Sequence, residues 1–289
     1  MFPKRILLAV AALALAAMAC SINIDLPFDT EVKTGPTEVE EINIPKPDSK
    51  DPAEVTISFG AGELYLSPGA KTDLIEGTAT YNVVDLKPKI TTRDTKVEIS
   101  TGNLELNGIP DFDERVINEW DLKLGDSPIE LDINAGAYVG EFDLGGLSLT
   151  NLEISDGAAN VEVSFSEPNQ VKMKTLRYET GASDISLREL ANANFETMIF
   201  QSGAGNFDLD FSGELQDDAT VFIESGLSSL TVTIPEGTSA TITVESGLTN
   251  ITTQGSWERT GDEYSTSGEG PSLDITIEMN AGNLILRNR

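Results

Sequence analysis

The chain contains no histidine and only one cysteine. Without histidine, serine–histidine and cysteine–histidine nucleophile systems cannot be assembled, and the usual ligand sets for zinc and iron are missing. Acid–base chemistry is left to carboxylates. One cysteine cannot close an internal disulfide, so packing and backbone pairing must hold the fold. Positive charge is also scarce, with 19 Lys and Arg against 48 Asp and Glu, for a formal net charge of −29. Residues 1 to 19 carry only Lys4 and Arg5, so from Cys20 onward the charge is −31. Such a surface repels nucleic acid and anionic headgroups, and no direct contact of the folded part with either is expected. After the first twenty residues no apolar run matches the length needed to cross about 30 Å of hydrocarbon. No motif for a cofactor or a metal stands out.

The chain opens with a short positive segment, Met1 to Arg5, then an apolar run from Ile6 to Ala16, then Ala17-Met18-Ala19. This order is that of a secretory signal over residues 1–19. Cys20 follows directly, where lipoprotein processing would diacylate its thiol. The match to a lipobox is incomplete, because Ala17 stands where Leu is commonest, and Ala17-x-Ala19 also satisfies the ordinary signal peptidase. A lone exported thiol at that one position favours the lipid anchor over simple secretion. Residues 20–52 hold Pro27, Pro36, Pro45, Pro47 and Pro52 among acids, which predicts an extended tether. The expected location is the cell envelope, at the outer face of a membrane.

Internal repeats are the strongest signal in the remainder. Aligned on their glycines, the segments read DGAANVEVSF from Asp156, TGASDISL from Thr180, SGAGNFDLDF from Ser202, SGLSSLTVTI from Ser225, SGLTNITT from Ser246 and MNAGNLIL from Met279. Gly157, Gly181, Gly203, Gly226 and Gly247 recur at nearly constant spacing, which predicts coils of about 22 residues. Glycine is expected to supply a corner with positive φ and close approach between coils. Asn160, Asp184, Asn206 and Asn250 are expected to tolerate the left-handed region there. The run after each corner alternates, with Phe207, Leu209 and Phe211 facing in against Asp208 and Asp210. Each coil therefore has at least two short strands, and stacked coils would pair in parallel. The expected fold class is all-β, a right-handed parallel β-solenoid. Ile109 to Trp120 is the one candidate helix, and residues 255–272, with Trp257 and Tyr264, read as an insertion that caps the end.

Phe59 to Asn82, FGAGELYLSPGAKTDLIEGTATYN, with Lys87 to Ile90, resembles the N-terminal module of bacterial toast-rack proteins. The later repeats are similar to that family's solenoid and to adhesin-like and cell-wall-active antibiotic response domains. The resemblance implies a β module over 53–125 and a repeat solenoid over 126–289, with a role in adhesion or envelope-stress sensing and no catalytic residue. Thr231, Thr233 and Thr243 supply a candidate uncharged binding face, and Trp257 and Tyr264 candidate sugar-stacking rings. Buried cap aromatics and ordinary strand-face threonines are the competing readings. Asp208 with Asp210, and Glu141 with Asp143, have the pairing needed for glycoside cleavage or calcium, although alternating acid is also what a solvated strand face looks like. The function expected is a non-enzymatic surface module that binds an envelope protein or glycan. Signalling through a membrane partner is the second reading, and a carbohydrate-active β-helix enzyme the third.

Overall fold

The computed structural model describes residues 30–31, 34–102, 110–111 and 116–289. The predicted leader and Cys20 lie outside them. The strands of the first part are β1 (Thr30–Glu31), β2 (Glu38–Pro45), β3 (Ala53–Pro68), β4 (Asp73–Tyr81), β5 (Lys89–Arg93), β6 (Lys96–Ser100), β7 (Pro110–Asp111) and β8 (Asn118–Leu124). Those of the second are β9 (Ile129–Asp143), β10 (Leu149–Ser164), β11 (Met173–Arg188), β12 (Phe195–Asp210), β13 (Ala219–Ile234), β14 (Ser239–Gln254), β15 (Glu258–Thr260), β16 (Glu263–Thr266) and β17 (Ser272–Asn288). Two 3-10 turns, Val84–Leu86 and Leu190–Ala193, are the only helical segments among the described residues. β1 and β7 pair in parallel as a unit of their own. The other unit spans residues 34–104 and 116–289, and it takes in the later part of the expected tether, since Glu38–Pro45 is strand β2 with Ile42 and Ile44 buried.

The helix expected from Ile109 to Trp120 does not form where the structure describes it. Pro110–Asp111 is a strand, and Asn118 to Trp120 open β8, in which buried and exposed residues alternate without a break. NEWDLKL has a period of two, and that places Trp120, Leu122 and Leu124 on one face, where they are buried. Trp120 meets Phe59 edge to face with ring centroids 5.2 Å apart. Ile109 and residues 112–115 lie outside the described residues.

The long strands build one open sheet of solenoid-like character. β3, β9, β10, β11, β12, β13, β17 and β14 are neighbours in that order, all parallel. Each strand runs on through its corner, with a three-residue gap in the pairing between β10 and β11 at residues 157–159, so a coil has one strand of 15 to 17 residues in place of two short ones. Identical positions of successive coils stack into columns. Leu131, Leu152, Leu176, Met198, Val221, Ile275 and Ile242 form one before the corner. Val163, Leu187, Leu209, Val232 and Leu286 form another after it. Both belong to a single apolar core. In-register stacking of like side chains closes that core without any disulfide, because each coil covers the apolar face of the one before it.

The last repeat departs from chain order. β17 lies between β13 and β14 and pairs in parallel with both. The link Pro235 to Thr238 is long enough to carry the chain past an empty strand position of about 9.6 Å, which β17 then fills. Residues 258–266 turn back as the β15–β16 hairpin, and β16 pairs antiparallel with Ala240 to Thr243. None of the helical segments described is long and apolar enough to cross a membrane.

Candidate binding surface

The corners form a column of glycines. A Cβ on Gly203 would stand 2.5 Å from the carbonyl oxygen of Gly181, and one on Gly226 would collide with that of Gly203. Gly247 faces Asn280 in the same way, at 2.7 Å. Beside this column, hydroxyls turn inward. Ser225 and Ser228 are buried with their oxygens 2.7 Å apart, and Ser202 donates to Ser225 at 2.9 Å. One coil pair places a carboxylate there. Asp156 accepts from the Tyr178 hydroxyl at 2.7 Å, from Ser183 at 3.3 Å, from Tyr138 at 3.5 Å and from Thr180. Burial first, and then the neighbouring Asp156 charge, push the Tyr138 hydroxyl well above its ordinary value. Burial raises Tyr178 likewise, and the neighbouring Tyr138 hydroxyl and Asp156 carboxylate add to the rise. An open polar groove of about 530 Å³ follows these corners, lined by Asp156, Glu179, Thr180, Gln201, Ser202 and Glu224 among others.

Outside the core, the half-strands before the corner present a face made of three rows. The middle row runs Glu153, Arg177, Ile199, Phe222, Thr276, Thr243, so it changes along the stack from charged to apolar to hydroxyl. Arg177 pairs with Glu179 at 3.0 Å. Phe222 is 48% exposed and is the only aromatic among the exposed large hydrophobic residues described. Its flanking rows carry Gln201, Glu224 and Glu278 on one side and Thr197, Thr220 and Asp274 on the other. Gln201 donates to Glu224 at 2.8 Å, which holds both side chains beside the ring.

Residues 33–175 match the family model described as the N-terminal domain of toast_rack, DUF2154. The chain carries a toast-rack N-terminal domain. The match takes in β2, β3 and β8 and extends to the start of β11, so it includes both corner carboxylate Asp156 and the first long strands. Three solved structures are similar over most of the chain. A candidate cell adhesion protein of Clostridium sporogenes is 20% identical and has a TM-score of 0.48, covering 88% of this chain and 100% of its own. A candidate adhesin of Bacteroides fragilis is 10% identical with a TM-score of 0.41, covering 87% and 97%. A candidate lipid-binding protein of Parabacteroides distasonis is 13% identical with a TM-score of 0.35, covering 87% and 97%. No curated protein matches the sequence.

Within and beyond the toast-rack domain, several expected sites are relocated. Cys20 lies outside the described residues. Gly157, Gly181, Gly203, Gly226 and Gly247 each face a backbone carbonyl of the neighbouring coil, but none has positive φ. In the long strands that conformation belongs to Gly62, Gly205 and Gly282, each two places later in its repeat. At Gly157, Gly181, Gly203, Gly226 and Gly247 the need for glycine is the carbonyl of the neighbouring coil, not backbone handedness. Asn160, Asp184, Asn206 and Asn250 stand in register in one exposed row, and none is left-handed; the described non-glycine residues with positive φ are Asp94, Glu189 and Asn194.

The threonine strip is not one surface. Thr243 precedes its corner and lies in the Phe222 row, while Thr231 follows its corner and lies between Asp208 and Ile285. Thr233 is buried, 3% exposed, between the longer side chains of Asp210 and Arg287, and its hydroxyl has no hydrogen-bond partner among the described residues. Tyr264 is 3% exposed and belongs to the core, with the Arg259 guanidinium 5.0 Å from its ring centre. Trp257 packs part of its ring on the core and bonds the Gln254 carbonyl at 3.0 Å. The insertion folds back because β16 pairs with β14, and this brings Tyr264 opposite Ile242.

Of the acid pairs, Asp143 and Asp210 each bond a backbone N–H two residues on, Gly145 at 3.0 Å and Ser212 at 2.9 Å, and so shape the turns that follow. No cluster of three or more metal-ligating side chains occurs among the described residues. Sequence reasoning passed over Phe222. Its signal was the run Val221-Phe222-Ile223, where an apolar residue interrupts strict alternation.

Proposed function

We propose that the chain is a non-enzymatic binding module of the cell envelope, exported and held to a membrane by a lipid on Cys20, and that it binds a neutral glycan. The observation that carries the ligand class is Phe222, half exposed on a sheet face and flanked by Gln201, Glu224 and Glu278. An aromatic face packs against the apolar side of a sugar ring, and amide and carboxylate groups beside it accept and donate to hydroxyls. The charge of −31 from Cys20 onward selects against anionic polymers. The reading includes a right-handed solenoid path with coils of about 22 residues, the hand that parallel crossovers take almost without exception.

The test is retention of the purified full chain on immobilised neutral and anionic envelope polysaccharides. Wild type should be held by a neutral polymer, and Phe222→Ala should lose about tenfold in affinity while melting within about 1 kcal/mol of wild type. Equal retention of the two proteins, or preference for the anionic polymer, would remove this reading.

A further inference from the structure

The stack of long strands ends on β3 at one side and on β14 at the other, and each end strand offers two half-edges, one on either side of its corner. At the β3 end both are taken. Glu54 to Ser58 pairs with β6, and Glu63 to Pro68 pairs with β8. Those additions finish on β5, which carries Lys89 and Arg93, and on β2, which carries Glu38, Glu40, Glu41 and Pro45. At the β14 end, Ala240 to Thr243 pairs with β16, and that cap finishes on β15 with Glu258 and Arg259. The fourth half-edge, Ser246 to Gln254, pairs with β17 on one side and with no described strand on the other.

Charge and proline protect exposed strands from pairing with other chains, and the three finishing strands have them. The open half-edge has neither. Its sequence, SGLTNITTQ, carries no charge in a chain of 48 acids. Leu248 within it is 85% exposed, the most exposed of the large apolar residues described. In a parallel ladder every second residue turns both its N–H and its C=O away from the neighbouring strand, so unpaired backbone groups alternate along this stretch.

We infer that this half-edge pairs antiparallel with the same half-edge of a second copy of the chain. Two bodies this acidic repel each other least where neither carries charge. The charges at the two ends of the stretch are also sorted by sign. Glu245 pairs with Glu278 at its start, whereas Arg287 pairs with Gln254 at its close, next to Arg289. An antiparallel two-fold lays the acidic start of one copy beside the basic close of the other, and a parallel arrangement would set like against like. Centred on Asn250, the pairing puts Leu248 opposite Thr252 and continues the row of Asn206, Ser229, Asn283 and Asn250 into the second copy. Such an interface is self-complementary and closes on itself. It is independent of the glycan reading, which concerns a different face.

Sedimentation of the purified full chain, in a mild detergent that keeps the leader or lipid dispersed, tests this across micromolar to millimolar concentrations. Wild type is expected to pass from monomer to dimer. Leu248→Lys combined with Thr252→Lys sets like charges opposite each other and should weaken the dimer by about tenfold or more. Leu248→Lys combined with Thr252→Glu sets opposite charges there and should restore it. Leu248 and Thr252 are both exposed, and matching melting curves would show that both variants fold. A wild type that stays monomeric throughout overturns the inference. So does a dimer that is indifferent to the lysine pair, or one that both variants weaken equally.

Discussion

The hydroxyl of Tyr178 donates to Asp156 Oδ2 at 2.7 Å, from one coil to the coil before it. The bond ties a core column to a corner, since Tyr178 stacks on Ile154 while Asp156 pairs with Thr180. Both Tyr178 and Tyr138 are held protonated by burial and by the Asp156 carboxylate.

That arrangement sets a pH dependence. The folded pKa of each ring lies above the unfolded value of about 10, so the unfolded chain loses these protons first as pH rises. Their contribution to stability is complete below about pH 10 and declines above it. Denaturant midpoints measured from about pH 8 to 11 should fall at the alkaline end, and less steeply in the Tyr138→Phe, Tyr178→Phe double variant. Tyr65, pushed up to about 12 chiefly by its hydrogen bond to Glu63, remains and keeps some slope. Tyr178→Phe alone should cost about 1 to 3 kcal/mol at neutral pH. Identical alkaline slopes in wild type and double variant would contradict the assignment.

Gly226→Val should destabilise by about 3 kcal/mol or more, because its Cβ collides with the Gly203 carbonyl in a column that cannot part without opening the ladder. Gly237→Val is the control, with open space around its Cβ; its φ of +83° makes the cost one of backbone strain, about 1 to 3 kcal/mol. Thermal melts that rank Gly237→Val as the worse of the two would refute the carbonyl contact as the cause.

Tyr264→Ala should lower stability by about 3 kcal/mol or more, as expected for a large ring removed from a core, and should free the β15–β16 hairpin from β14. Hydrogen exchange at Ala240 to Thr243 is the direct measurement. Protection there that survives the substitution would mean the ring does not hold the cap.

Cys20→Ser should move the protein from the membrane fraction to the medium, since it removes the thiol that would carry the proposed lipid. Detergent phase separation reads this out. Equal partitioning of wild type and variant would rule out the lipid.

Much of the architecture is legible in the sequence. The recurrence of glycines 157, 181, 203, 226 and 247 is plain in the sequence, and the alternation of Phe207, Leu209 and Phe211 with Asp208 and Asp210 matches the buried and less buried positions. Such signals are local, because a strand's two faces and a coil's corner are written in consecutive residues. What sequence alone could not decide is which strands become neighbours. The insertion of β17 between β13 and β14, the separation of Thr231 from Thr243, and the meeting of Tyr178 with Asp156 all depend on register between segments far apart in the chain. The same holds for the glycines' reason to exist: a free corner would tolerate other residues, and it is the carbonyl of the next coil, supplied only by tertiary stacking, that excludes a side chain.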